Sequence, residues 1–165
     1  MNPQVKVDLV QQRLSPSVIK DLGGFISRRF ALNAANRLGT FDIDYYVRLV
    51  EARKHTEWWW LGEQPGKWLE SAILTCRQNG DRVLADQARA VLARMLAAQE
   101  PGGYLGVTAE GVRTAEMPMR GMDAYELYFT LHALLTAHQE RVARAIAEGI
   151  LDYLRAREGK PTPTP

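Results

Sequence analysis

The chain has 165 residues, 46% hydrophobic and 24% charged, a length and composition typical of one globular domain. Its net charge is +2, with Lys and Arg dispersed among Asp and Glu, which gives no field for nucleic acid or an anionic membrane. A single cysteine, Cys76, excludes an intramolecular disulfide and a cysteine-cluster zinc site; "MNPQVKVDLVQQRL" has no apolar signal core, and no run nears the ~18 apolar residues that span a bilayer, so the expected compartment is cytoplasmic.

Ser15 is placed to cap a first helix, with Pro16 at its first position. Val18, Ile19, Leu22, Phe25, Ile26 and Phe30 follow at helical spacing. Gly23 and Gly24 fall inside this pattern, where each weakens a helix by about 1 kcal/mol relative to Ala, and the pair is expected to let another helix approach closely. "DIDYYVRLVEAR" gives a second, short helix with Tyr46, Val47 and Val50 on one face. "HTEWWWLGEQPGKWLESA" then sets three consecutive tryptophans between two carboxylates and leads through a Gly-Glu-Gln-Pro-Gly-Lys turn into a third helix. Pro65 is expected to start that helix, Trp68, Leu69, Ala72, Ile73 and Cys76 to form its apolar stripe, and Gly80 to end it.

Asp81 caps a fourth helix in which Val83, Leu84, Ala88, Val91, Leu92, Met95 and Leu96 repeat with the helical period, until "EPGGYLG" terminates it. A less regular stretch runs to about Arg120. From there Leu127, Leu131, Leu134, Leu135, His138, Val142, Ile146, Ile150 and Leu154 keep phase. No Gly or Pro lies near residues 136–142, so one long helix and a pair with a concealed turn fit equally. The domain is expected over 1–157, with 158–165 a disordered Pro/Thr tail. β-signals are weak throughout, so the class is all-α, and sequential helices of similar length imply stacked helical hairpins.

Four chemistries were weighed. "GEQPGKW" is one residue short of a nucleotide-binding lysine loop and puts Trp68 where a Mg²⁺-binding Ser or Thr is needed. His132 and His138 are six apart and do not share the i, i+4 face that chelates zinc; the bland reading places them at or beside the edge of an apolar helix face. Cys76 lies on an apolar stripe, which fits a buried small hydrophobe better than a thiolate nucleophile. Paired carboxylates remain: Glu57, Glu63, Asp123 and Glu126, the first two near tryptophans. Aromatic faces suit the apolar C–H surface of a sugar ring, whose hydroxyls need charged partners at the edge. The bland alternative is that Trp58, Trp59 and Trp60 cover a helix end and the carboxylates are solvated.

Taken in order, "LSPSVIKDLGGFISRRFALNAANRL", "EWWWLGEQPGKWLESAIL", "AAQEPGGYLG" and "MRGMDAYELYFTLHALL" resemble the opening segment of the β-L-arabinofuranosidase-like glycoside hydrolases, glycoside hydrolase family 127 and its relatives. The resemblance runs from about Leu14 to Leu135. It rests most on Gly-Glu-x-x-Gly-Lys-Trp-Leu at 62–69, Gln-x-x-Gly-Gly-Tyr-Leu-Gly at 99–106, and Glu126-Leu127-Tyr128 followed by His132. It implies an (α/α)₆ barrel, here partial, with the sugar at one mouth. It also implies that Trp60, Glu63, Lys67, Trp68, Tyr104, Tyr125, Glu126 and His132 border the sugar.

The chain departs from the relatives at three points. Gln64 stands where relatives often carry His. Tyr125 stands where several have a sugar-facing His. The Gly-containing turn after the His132 helix is missing from "TAHQERVARA".

The family's acid/base glutamate, and the cysteine nucleophile that also ligates zinc, correspond to no residue here. The expectation is therefore an N-terminal piece of a barrel with no catalytic residue and no cofactor of its own, the zinc of the parent family being held elsewhere. Its parent would hydrolyse a terminal furanosidic or related linkage in plant-type glycans. An open barrel edge would favour self-association or a complementing fragment. Glu63 is the one residue to test as an acid, since a carboxyl packed on tryptophan can hold its proton. A non-enzymatic helical-hairpin interaction module is the alternative, and it expects Trp58–Trp60 and Trp68 to be buried. A relative of the six-hairpin uronyl hydrolases is a third option, which would need catalytic aspartates, Asp123 being the only late candidate.

Overall fold

The structure, a computed structural model, describes residues 23–54, 61–110 and 121–138. Among these there is no β-strand. Helix α1 (Gly24–Leu32) runs without a break into a π-helical turn at Asn33–Leu38, followed by α2 (Ile43–Ala52), α3 (Glu63–Asn79), α4 (Arg82–Ala97) and α5 (Gly121–Thr136).

Local chemistry sets most helix ends. The Asp42 carboxylate accepts from the Tyr45 N–H at 3.1 Å and starts α2; Asp81 does the same for α4 with the Leu84 N–H at 3.0 Å. Gly80, with φ of 76°, closes α3 in the left-handed conformation and donates its N–H to the Cys76 carbonyl. Helix α3 begins at Glu63, two residues before Pro65, so most of the Gly-Glu-Gln-Pro-Gly-Lys run is helix and not turn. Proline is tolerated there because first-turn N–H groups have no intrahelical acceptor.

The glycine pair at 23–24 does not sit inside a helix. Gly23 caps α1, both residues have φ of 55°, and a side chain at either would meet nothing within 4 Å, so the pair starts the helix and admits no close neighbour. The expected helix start at Ser15 lies outside the described residues. Helix α5 ends at Thr136, and His138 takes up a left-handed φ of 60°. The concealed turn is therefore real, and it is made without glycine.

The helices form two layers. Glu126 lies against Gly62, Phe129 and Thr130 against Gly66, His132 beside Glu70, and the Arg77 guanidinium donates to the Thr136 carbonyl at 2.6 Å. Residue numbers rise together along this seam, so α3 and α5 run parallel. Helix α4 returns behind them and packs on both α3 and α2. The segment just past α2 meets the segment just past α4 through Arg53 and Glu100 at 3.3 Å, so the back helices also share a direction. The front layer is α1 with its π-turn, α3 and α5; the back layer is α2 and α4.

Between the layers lies the core: Val47, Val50, Leu69, Ala72, Ala88, Val91, Met95, Leu127 and Leu134, joined by Leu105 and Val107 from the loop after α4. Arg94 fastens the back layer with a two-pronged pair to Glu51 (Nε–Oε1 2.7 Å, Nη2–Oε2 2.8 Å) and a further contact to Asp44. Val83, expected on the apolar face of α4, is 81% exposed, one position short of the buried Leu84. The expected Pro/Thr tail, and the helical pattern beyond residue 138, lie outside the described residues.

Candidate functional site

The front face of α3 carries Glu63, Lys67 and Glu70 at spacings of four and three, which puts them on one side of the helix. Glu63 is in the first turn and only 8% exposed. The Lys67 ammonium sits 2.6 Å from its Oε1, and the Gln64 amide donates to the same oxygen at 3.3 Å. That ammonium also lies 4.2 Å from the Phe129 ring centroid and 5.7 Å from that of Tyr125, both on α5. It is thus held between a carboxylate and two aromatic faces, each of which attracts a cation.

Glu126 is 2% exposed, and its carboxyl rests on the backbone of Gly62 so closely that a methyl group there would overlap it. It occupies the amino end of α3, where N–H groups and the helix dipole favour negative charge. Two turns further on, Glu70 Oε1 lies 3.7 Å from His132 Nδ1 and accepts from the Thr136 hydroxyl at 3.5 Å. The Tyr128 ring packs 4.6 Å from the imidazole. Tyr125 and Tyr128 both set their edges against Phe129, at 5.0 and 5.2 Å.

Of the residues expected around a sugar, Glu63, Lys67, Tyr125 and His132 therefore share one face, with Glu126 at its end. Trp68 and Tyr104 are placed otherwise. Trp68 is 4% exposed and its indole N–H donates to the Leu38 carbonyl at 3.1 Å, anchoring α3 to the π-turn. Tyr104 packs on the core while its hydroxyl accepts from the Thr108 N–H at 3.1 Å and covers Gly106. Its own carbonyl accepts from the Glu100 N–H at 3.0 Å, and the Gln99 amide donates to the Gly103 carbonyl, so the Gly-Gly-Tyr loop is tied to itself. Trp60 lies outside the described residues. The sequence reading passed over Glu70, Tyr128 and Phe129. The heptad spacing from Glu63 to Glu70, and the turn-by-turn spacing of Tyr125, Tyr128, Phe129 and His132, was the signal available.

The described residues do not fit a zinc site. No three of their His, Cys, Asp and Glu side chains converge. Cys76 lines a cleft between α3 and α4 with Ile73, Ala88 and Leu92; burial there, followed by the charge of Asp81, pushes its thiol above the ordinary range. No described helix is long and apolar enough to cross a membrane.

No curated protein and no solved structure gives a significant match to the chain. Residues 10–163, nearly its whole length, match the family described as Beta-L-arabinofuranosidase, GH127 catalytic domain. The two-layered hairpins fit the (α/α)₆ barrel of that family as a sector of it, three helices in front and two behind. By this match over most of its residues, the chain belongs to the β-L-arabinofuranosidase-like glycoside hydrolase family.

Proposed function

We propose that the front face of α3 and α5 is a sugar-binding wall of a glycoside hydrolase acting on arabinofuranoside-like or related glycans, and that this chain alone binds such a sugar without hydrolysing it. The observation that carries the reading is the Lys67 ammonium set between the Glu63 carboxylate and the Phe129 and Tyr125 rings. The ring faces offer an apolar surface to sugar C–H groups, while Glu63, Lys67 and His132 offer acceptor and donors for adjacent hydroxyls. Glycoside cleavage needs a proton donor and a second carboxylate or nucleophile across the bond. Glu63 is engaged by Lys67, and Glu126 is packed on Gly62, so neither is assigned that work. The zinc and cysteine chemistry implied by the family resemblance is assigned to no residue here.

Methyl L-arabinofuranoside titrated into the full chain, followed by NMR of the His132 and tyrosine signals, tests this. Saturable shifts are expected, and Lys67→Ala and His132→Ala should each weaken them. Wild type without saturable shifts, or Lys67→Ala binding as tightly as wild type, would refute the wall. Release of the aglycone from an aryl arabinofuranoside by this chain would refute the absence of hydrolysis.

A second reading, a hairpin interaction module that self-associates or takes a complementing fragment, draws on the burial of Trp68 and on Tyr128 and Leu135, each 49% exposed along α5. Sedimentation over a hundredfold concentration range separates the two readings, since only association makes the apparent mass rise.

A further inference from the structure

Resting on the glycan reading above, we infer that the cleft between the π-turn and α3 is an anionic-sugar subsite, one that takes the carboxylate of a uronate residue next to the Glu63–Lys67 wall. The cleft measures about 210 Å³, room for one sugar residue, and is lined by Asn33, Arg37, Phe41, Gln64, Lys67 and Ser71 over a floor of Leu38 and Trp68. The charged residues of this lining are two cations, and no carboxylate is among them. Lys67 spends its charge on Glu63, at 2.6 Å. Arg37 does not: its guanidinium lies over the Phe41 ring, 4.6 Å from the centroid, with no carboxylate paired to it among the described residues. Stacking on a ring holds the planar fork in one plane, and that fork matches a carboxylate with two parallel hydrogen bonds. Asn33, Gln64 and Ser71 supply neutral donors and acceptors of the kind sugar hydroxyls use.

The backbone supports the same reading. The segment bearing Asn33 and Arg37 is a π-helix, a wider turn that recurs at functional sites. Its last carbonyl, that of Leu38, is taken by the Trp68 indole, so the cleft has a rigid floor. A neutral furanose on the front face and an acidic sugar in this cleft would lie on either side of the Lys67 side chain, which belongs to both. The substrate class this implies is a glycan in which a uronate neighbours the furanoside.

The test compares D-galacturonate with D-galactose, which differ in the oxidation state of C6, by calorimetry or NMR on the full chain. Arg37 is exposed, so Arg37→Ala and Arg37→Lys leave the core untouched. Wild type should bind galacturonate roughly tenfold more tightly than galactose, the worth of a hydrogen bond to a charged group. Arg37→Ala should erase that preference without changing the affinity for methyl L-arabinofuranoside, and Arg37→Lys should keep part of it. Equal wild-type affinity for the two hexoses, or a preference that survives in Arg37→Ala, overturns the subsite. Displacement of galacturonate by acetate at equal concentration also overturns it, since the cleft would then read charge and no sugar. If galacturonate is preferred but the arabinofuranoside does not bind, the subsite stands and the front-wall reading falls; if no sugar binds, both fall.

Discussion

Replacing Gly66 with Ala should destabilise the protein, against the usual benefit of that change in a helix. Ala is favoured over Gly in a helix interior by about 1 kcal/mol. At this position a Cβ would stand 2.5 Å from the Phe129 carbonyl carbon, 2.6 Å from its oxygen and 2.6 Å from the Thr130 nitrogen. All three are backbone atoms of α5, which no rotamer change can move. Ordinary contact would require the helices to part by roughly 1 Å, which strips dispersion contacts along the whole seam. Overpacking of this kind costs about 1–3 kcal/mol, and the gap it opens adds to that, so the expected net loss is about 1–2 kcal/mol after the propensity gain. In a chain of this size that lowers Tm by about 2–8 °C. Chemical denaturation of Gly66→Ala and wild type measures it directly. Lys67 should also lose its hold on Phe129 and Tyr125, so the tyrosine signals should shift in the native state. A variant more stable than wild type would show that α3 and α5 do not cross at this glycine, and the parallel seam would have to be abandoned.

Trp68→Phe removes the indole N–H that serves the buried Leu38 carbonyl and should cost about 1–3 kcal/mol, read from the urea midpoint. Lys67→Ala leaves the largely buried Glu63 carboxylate without its ammonium and should cost about 1–2 kcal/mol, with Glu63→Gln in the same background recovering part of it in the same assay. The Arg94 hydrogen bonds hold the Glu51 carboxyl below its ordinary range. The folded value is thus below the unfolded one: the pair's contribution is complete above the ordinary carboxylate pKa and is lost as pH falls through the depressed folded value. Both side chains are more than a third exposed, so Glu51→Gln should cost only a few tenths of a kcal/mol at pH 7, vanishing near pH 3 and weakening in high salt. His138→Gly should stabilise by about 1 kcal/mol, because the left-handed φ of 60° strains any residue with a Cβ; an unchanged or lower Tm would count against that turn.

Helix ends fixed by neighbouring residues were legible in the sequence. Asp42, Asp81 and Gly80 act through bonds to groups three or four positions away, so their roles can be read without a fold. The end of α5 could not be read so. Nothing in "TAHQERVARA" breaks a helix, yet α5 ends at Thr136, where Arg77 of α3 captures the terminal carbonyl. That partner is remote in sequence, and only the parallel pairing of the helices brings it there.

The site divides along the same line. Lys67 and Trp68 are adjacent in the motif that carries the family resemblance, but successive residues of a helix point about 100° apart. One faces the aromatic wall of α5 and the other turns to Leu38 and the core, so a motif assigned as one unit serves two ends. The departure at Tyr125, where relatives carry histidine, gains a physical meaning from the same geometry. A protonated imidazole beside the Lys67 ammonium would repel it, whereas a phenol ring attracts it through its face. Tyr125 therefore suits a wall in which Lys67 is the charged hydrogen-bond donor and the rings around it are neutral, and His132, two turns down beside Glu70, keeps the one imidazole of the face away from that cation.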